Sequence, residues 1–177
     1  FLEAKNPLII SQRPKYLYLS DKEYQESIFI PAISEWISAA QDGKAIGMMQ
    51  SGWNQPESWG TWSQGNLSTL NIPCPLVQQP QTRPLILDLE MQPFVAPGHP
   101  KVSIKINVEN KQLWSGGLEK PTIVSLALPK EVCTKKYFTM SISVDNPTSP
   151  EKLGLSIDNR MLGIGLRRMR FTLPAIH

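Results

Sequence analysis

Alternation of apolar and polar residues dominates the second half of the chain. In Val102–Val108, valine and isoleucine occupy every second position, and serine, lysine and asparagine lie between them. A period of two places the apolar side chains on one face of a strand, which is typical of a half-buried antiparallel sheet. Similar short segments recur along the chain: Leu67–Ile72, Leu85–Met91, Ile123–Leu128, Tyr137–Val144 and Leu162–Leu173.

Turn-forming residues separate these segments. Examples are Ala96-Pro97-Gly98, Ser115-Gly116-Gly117 and Asp145-Asn146-Pro147, and the 177 residues include 16 prolines and 11 glycines. Short alternating segments with turn signals between them predict a mainly β protein, an antiparallel β-sandwich of the jelly-roll type. We expect this domain to cover residues 46–177.

A helical pattern precedes the strands. A typical helix N-cap, Ser20-Asp21, is followed by an apolar stripe at the i, i+3, i+4, i+7 spacing: Ile33, Trp36, Ile37 and Ala40. Pro31 lies between the N-cap and the stripe and should break or restart the helix, so we expect one kinked helix or two short helices over residues 20–42. Residues 1–45 are therefore predicted to form a helical appendage or linker to the sandwich.

Charge and hydropathy exclude several classes of function. The net charge is only +3, and no block of lysine and arginine stands out. Strict strand alternation separates Arg167 from Arg168 and Arg170, so a nucleic-acid partner is not expected. The sequence has neither a secretory leader pattern nor an apolar run of the roughly 18–20 residues that a membrane span needs. Because it starts at Phe1, we expect a processed form or a piece of a longer protein.

The cysteines and histidines of the sequence do not form a recognisable metal-binding or catalytic motif. Cys74 and Cys133 lack the spacing of a metal site, and neither His99 nor His177 has a nucleophile nearby. We therefore predict no metal, no cofactor and no catalytic residue. The two cysteines either form a disulfide, which would close a loop of about 60 residues and contribute about 4 kcal/mol, or remain two buried thiols.

A tryptophan-rich segment, Gly52–Gly65, carries the candidate site. It contains Trp53, Trp59 and Trp62 in a frame of glycine and proline, which indicates either a sheet staple or a platform on which a ligand stacks. The sequence leaves two interpretations of the role of Glu57. Its carboxylate either hydrogen-bonds sugar hydroxyls beside the rings, or pairs with Arg160 and shapes the turn.

A second segment, Leu155–Leu166, begins as a polar loop and continues as a strand. We expect it to meet the tryptophan segment through Glu57 and Arg160, because an isolated acid beside indole rings is costly to desolvate. The predicted ligand-binding residues of the two segments are Trp53, Asn54, Glu57, Trp59, Trp62, Asp158 and Arg160.

Asp88 and Glu90 share one face of a predicted strand. Two carboxylates of this kind are what glycoside hydrolysis uses. Acids on an exposed strand face are more often a solvated surface, and we favour that interpretation.

Two motifs give the chain a family resemblance. The run Gly52-Trp53 through Pro56-Glu57-Ser58-Trp59-Gly60-Thr61-Trp62-Ser63 resembles the motif that opens the C-terminal β-sandwich of bacterial membrane-bound glycan-modifying transferases. Examples are the phosphoglycerol transferase that decorates osmoregulated periplasmic glucans and a group of multi-spanning membrane glycosyltransferases. Leu162–Leu166 is similar to the ending of the same domain, so the resemblance covers about residues 50–173.

The resemblance implies an accessory role. In that family the chemistry lies elsewhere in the polypeptide, and this domain is extracytoplasmic. It implies a non-catalytic periplasmic domain, tethered to the inner membrane through a parent glycosyl- or phosphoglycerol transferase. Its partners would be a saccharide acceptor, which it holds or orients, and the membrane-embedded or catalytic part of the parent. The alternatives are a purely structural interaction module and a carbohydrate-active hydrolase.

Overall fold

The computed structural model describes residues 29–75 and 84–174. Within these ranges the chain forms nine strands and two short 3₁₀ helices, Lys44–Met48 and Val132–Thr134. The strands are β1 (Ile37–Ser38), β2 (Thr61–Gln64), β3 (Leu67–Pro73), β4 (Ile86–Pro93), β5 (Val102–Val108), β6 (Lys111–Leu118), β7 (Thr122–Ala127), β8 (Tyr137–Val144) and β9 (Leu162–Thr172).

The strands form two antiparallel sheets. The five-stranded sheet has the order β1-β9-β4-β7, and β2 also pairs with β9. The four-stranded sheet has the order β3-β8-β5-β6. One edge of β9 runs along β4, while its other edge is shared by β2 near Leu162 and by β1 near Met169. The mainly β, antiparallel sandwich predicted from the alternating pattern is confirmed.

The core lies between the inner faces of the sheets. Leu87, Leu89 and Met91 of β4 are fully buried. Phe171 of β9 meets Phe138 of β8 edge-to-face, with ring centroids 6.3 Å apart, so this pair joins one sheet to the other. Each buried side chain of this size contributes about 1.5–3 kcal/mol through removal from water.

The predicted N-terminal helical appendage is wrong where the structure describes it. Residues 29–42 contain no α-helix, and Ile37–Ser38 is a strand on the edge of β9. Ile37 points into the core with 3% exposure, and Trp36 packs on the arginines of β9 instead. The helical spacing of the stripe does not decide the backbone here, because Ile37 and Ser38 pair as extended residues with Met169 and Arg168 on the edge of β9. Residues 20–28 lie outside the described ranges, and the domain boundary at residue 45 stays a prediction.

A disulfide joins Cys74 and Cys133, whose Cα atoms are 5.5 Å apart. Cys74 follows β3 and Cys133 precedes β8, its neighbour in the sheet. This bond settles the two alternatives for the cysteines in favour of the cross-link. Across the described part of the chain, no helix has the length and apolar character needed to span a membrane.

Candidate functional site

The tryptophan segment and the loop before β9 meet in the structure. Arg160 Nη1 lies 2.9 Å from Glu57 Oε1, which confirms the predicted link. The other carboxylate oxygen of Glu57, Oε2, accepts a 2.8 Å hydrogen bond from the indole Nε1 of Trp59. Arg160 also donates two hydrogen bonds to the carboxylate of Asp158, one from Nε and one, at 2.7 Å, from Nη2. We call these four residues, Trp59, Glu57, Arg160 and Asp158, the Glu57 cluster.

The Glu57 cluster is reachable from solvent, and two of its members, Asp158 and Arg160, have shifted pKa values. Hydrogen bonds from the Arg160 side chain and backbone hold the pKa of Asp158 below its usual value. The bonds to Asp158 and Glu57 in turn raise the pKa of Arg160. The three charged side chains are each about one-third exposed, at 29% for Asp158, 34% for Glu57 and 36% for Arg160. A ligand therefore reaches them without a rearrangement of the fold.

Tight turns position these side chains. Glu57 N donates to Gly60 O at 2.8 Å, which closes the turn that contains Trp59. Gly60 approaches the strand so closely that a Cβ atom would lie 2.5 Å from Leu166 O. On the other loop, Asp158 N donates to Ser156 Oγ at 3.1 Å. Gly60 therefore helps to position Glu57, and Ser156 helps to position Asp158.

An aromatic row lies beside the Glu57 cluster. Trp59 meets Trp62 edge-to-face at 5.0 Å, Trp62 meets Phe94 at 6.0 Å, and Phe94 lies 6.1 Å from His99. Trp62 is buried, whereas Trp59 is only partly buried and forms the accessible end of the row. Gly165 of β9 lies directly beneath the row. A Cβ atom at this position would overlap the ring of Trp59.

Sequence reasoning missed Phe94 and His99 as members of this row. His99 bridges two loops, since its ring nitrogens lie 2.7 Å from Phe94 O and 2.8 Å from Asn146 O. It is buried and uses both nitrogens, so it supports the row. The only sequence signal was its position between Gly98 and Pro100.

Trp53 and Asn54 make their side-chain hydrogen bonds to residues outside the Glu57 cluster. Trp53 packs against the main core, and its Nε1 donates to Thr69 O at 2.9 Å. Asn54 Nδ2 donates to Ser63 O at 3.0 Å. Both residues brace the start of β2 against its neighbours. A ligand-binding role for these two residues stays a prediction.

A second polar cluster occupies the same outer face of the five-stranded sheet. A β-bulge at Glu90/Met91 lets Arg167 and Arg168 both reach Glu90. Arg170 Nε donates to Asp88 at 2.9 Å. The prediction that alternation separates Arg167 from its neighbours is therefore wrong.

The favoured interpretation of Asp88 and Glu90 as a solvated acidic surface is also wrong. Asp88 is 6% exposed and accepts hydrogen bonds from Arg170 and from Ser125 Oγ, the latter at 2.6 Å. Glu90 is held by arginines in the same way. Cross-strand pairing with β9 buries and neutralises both acids. In residues 29–75 and 84–174, no three His, Cys, Asp or Glu side chains are grouped to hold a metal ion.

Fold and site together define an antiparallel β-sandwich with an aromatic and charged surface on one sheet. The chain belongs to the family described as "Domain of unknown function (DUF7024)", whose model matches residues 34–172. No curated protein sequence matches the chain.

Three solved structures show a likeness at low similarity. The CBM36-1 domain of a multidomain xylanase from the hindgut metagenome of Trinervitermes trinervoides has 8% identity and a TM-score of 0.43, over 80% of this chain and 98% of that one. A carbohydrate-binding module CBM36 in complex with calcium and xylotriose has 8% identity and a TM-score of 0.41, over 77% and 98%. The acetyl xylan esterase Est2A from Butyrivibrio proteoclasticus has 9% identity and a TM-score of 0.43, over 82% and 35%.

Proposed function

We propose that this domain binds a saccharide at the Glu57 cluster and presents it to a catalytic partner. The observation that carries the proposal is the partly exposed ring of Trp59, fixed by a hydrogen bond to Glu57 and flanked by Arg160. An indole offers an apolar face on which a sugar ring stacks, and the charged groups beside it hydrogen-bond hydroxyls.

Pre-organisation favours binding at this position. The Trp59 ring is held at its nitrogen by Glu57 and packs edge-to-face with Trp62. A side chain that is already fixed loses little conformational entropy when a ligand arrives. Arg160 keeps N–H groups for a ligand, since Nη1 and Nη2 each donate one hydrogen bond among the described residues and the side chain is about one-third exposed.

The cellular setting is a further part of the proposal. The Cys74–Cys133 disulfide is the kind of bond that persists in oxidising compartments, which supports an extracytoplasmic or periplasmic location. The sequence resemblance supports a parent membrane transferase that modifies glycans. Within that parent, the domain would hold or orient the acceptor without taking part in the chemistry.

A purely structural module is the second candidate, and one observation favours it. Both carboxylate oxygens of Glu57 are already engaged, one by Trp59 and one by Arg160. If the cluster only ties two loops together, its residues stabilise the fold and bind nothing.

Titration with neutral glucan oligosaccharides separates the two candidates. We expect saturable shifts of the Trp59 indole N–H resonance with a Kd on the order of millimolar, and a loss of about 1–3 kcal/mol of binding free energy in Trp59→Ala. Trp36→Ala, a partly buried tryptophan outside the cluster, is the matched control and should bind neutral glucan normally. Absence of binding by the folded native domain at about 50 mM glucan would leave the structural module.

A further inference from the structure

Trp36 and the arginines of β9 form a second, separate cluster on the outer face of the five-stranded sheet. The guanidinium carbons of Arg168 and Arg170 each lie 4.3 Å from the centroid of the Trp36 ring. This is the distance at which a guanidinium is attracted to the ring face. One indole therefore orients two guanidinium groups at once. We call Trp36, Arg167, Arg168 and Arg170 the Trp36 cluster.

The acids of β4 hold the same arginines from the other side. Arg168 donates through Nε to Glu90, and Arg170 donates through Nε to Asp88. Asp88 is fixed in turn by Ser125 Oγ. The acids are nearly covered, with side-chain exposures of 9% for Asp88 and 18% for Glu90. The carboxylates therefore position the arginines and are themselves less exposed than the arginines they hold.

The Nη donors of Arg168 and Arg170 have no acid partner in the part of the chain that the structure describes. Among the described residues, the bonds of Arg168 and Arg170 to the acids all use Nε, and none is found for their Nη atoms. The side chains are 46% and 32% exposed. Three guanidinium groups face two carboxylates, which leaves one positive charge uncompensated within the cluster.

We propose that the Trp36 cluster binds an anionic group, a carboxylate or a phosphate, through the Nη edges of Arg168 and Arg170. Planar guanidinium groups match the oxygens of these anions bidentately. Stacking on Trp36 and pairing with the acids fix the guanidinium planes before the anion arrives, so little entropy is lost on binding.

The Trp36 cluster and the Glu57 cluster share one face of the sheet. Arg168 lies opposite Glu90, and Gly165, which carries the aromatic row, lies opposite Gln92 two residues further along β4. Directly opposed side chains share a face, and so do residues two apart on one strand. The anion site is nevertheless a separate site, and it stands whether or not neutral saccharides bind at Trp59.

Inorganic phosphate and glucuronate, added separately to the ¹⁵N-labelled domain at constant ionic strength, test the proposal. We expect saturable shifts of the Trp36 indole N–H and of the Arg168 and Arg170 Nε–H resonances, with a Kd on the order of 1–10 mM. Tighter binding of phosphate identifies a phosphate site, and tighter binding of glucuronate identifies a carboxylate site. A shift at Trp36 without one at Trp59 separates this site from the saccharide site.

Two variants and a control define the result. Arg168→Gln should weaken binding at least about fivefold, and Arg168→Lys should weaken it less, because an ammonium keeps the charge but not the planar fork. Lys105→Gln removes a positive charge from the other sheet and should leave the Kd unchanged. The proposal is wrong if neither anion gives a saturable Trp36 shift by about 50 mM, or if folded Arg168→Gln binds as tightly as the native domain.

Discussion

Glu57 and Arg160 are 103 positions apart in the chain and 2.9 Å apart in space. The ion pair ties the turn before β2 to the loop before β9, two strands that are themselves neighbours. The contact therefore closes the end of the sheet at which Trp59 and Trp62 lie. Its strength decides whether the candidate site is a rigid surface or two independent loops.

Removal of the Arg160 side-chain charge should loosen this end of the molecule. We expect Arg160→Gln to lower the free energy of unfolding by about 1–2 kcal/mol, since it breaks charge-assisted hydrogen bonds to two partly exposed acids. Urea denaturation followed by tryptophan fluorescence measures the change.

Lys105→Gln is the matched control for that variant. It removes another ion pair, at 3.4 Å, between side chains that are about half exposed. We expect a change below about 0.5 kcal/mol, as for most surface pairs. Equal effects of the two variants would show that the Glu57 cluster contributes no more than an ordinary surface contact.

The pH dependence of stability should carry a signature of Asp158. Its pKa is lowered in the folded state by hydrogen bonds from Arg160. The stabilisation is therefore present above the unfolded-state pKa of about 3.9 and is lost as pH falls through the lower folded-state pKa. Asp158→Asn should be less stable than the native protein at pH 5–7, and the gap should narrow toward acid.

Urea denaturation of both proteins at several pH values measures this gap. Asp42→Asn, which removes an exposed acid outside the cluster, is the control for the loss of one surface negative charge. A gap of constant size across the acid range would contradict the assignment of the effect to ionised Asp158.

Gly165 should not tolerate a side chain. A Cβ atom at this position would overlap the Trp59 ring and would lie 3.2 Å from Trp62. We expect Gly165→Ala to displace Trp59, to cost about 1–3 kcal/mol of stability and to change the tryptophan emission spectrum. Gly47→Ala is the control, because a Cβ atom at Gly47 would have no neighbouring atom within 4 Å. A native-like spectrum for Gly165→Ala would show that the indole does not rest on this strand.

Reduction of the disulfide should destabilise the sandwich. The bond closes a loop with a sequence separation of 59, for which the chain-entropy argument gives about 4 kcal/mol. Thermal unfolding with and without a reducing agent measures the loss, and Cys74→Ala/Cys133→Ala should melt at the temperature of the reduced protein. Detection of two free thiols in the purified native protein would contradict the cross-link.

The strands that bury one face were predictable from the sequence. Val102–Val108 and Tyr137–Val144 alternate without interruption, and both ranges match the structure. β6 was missed, because Gly116-Gly117 indicated a turn. The structure shows why glycine stands within this strand, since a Cβ atom at Gly116 would lie 2.7 Å from the Trp114 ring. The presence of glycine at position 116 is therefore explained by the position of the Trp114 ring in the folded structure.

The two clusters differ in how far the sequence revealed them. The Glu57–Arg160 contact followed from charge, because an acid among indoles needs a partner. The Trp36 cluster did not follow, since it depends on a β-bulge that places Arg167 and Arg168 beside one acid. A bulge changes the facing of side chains without a clear mark in the residue pattern. Trp36 was assigned to a predicted helix, so its contact with the arginines was not expected. The pairing of Ile37–Ser38 with the edge of β9 depends on the folded sheet and cannot be seen in the local residue pattern.

The position of β9 in the sheet has a consequence for biosynthesis. It contacts β1, β2 and β4, yet it is the last of the described strands to leave the ribosome. Until it emerges, β1 and β2 have no partner in their sheet, and β4 can pair only with β7. We therefore expect nascent chains that stop before residue 162 to expose unpaired strand edges, which chaperones would have to shield and proteases would recognise.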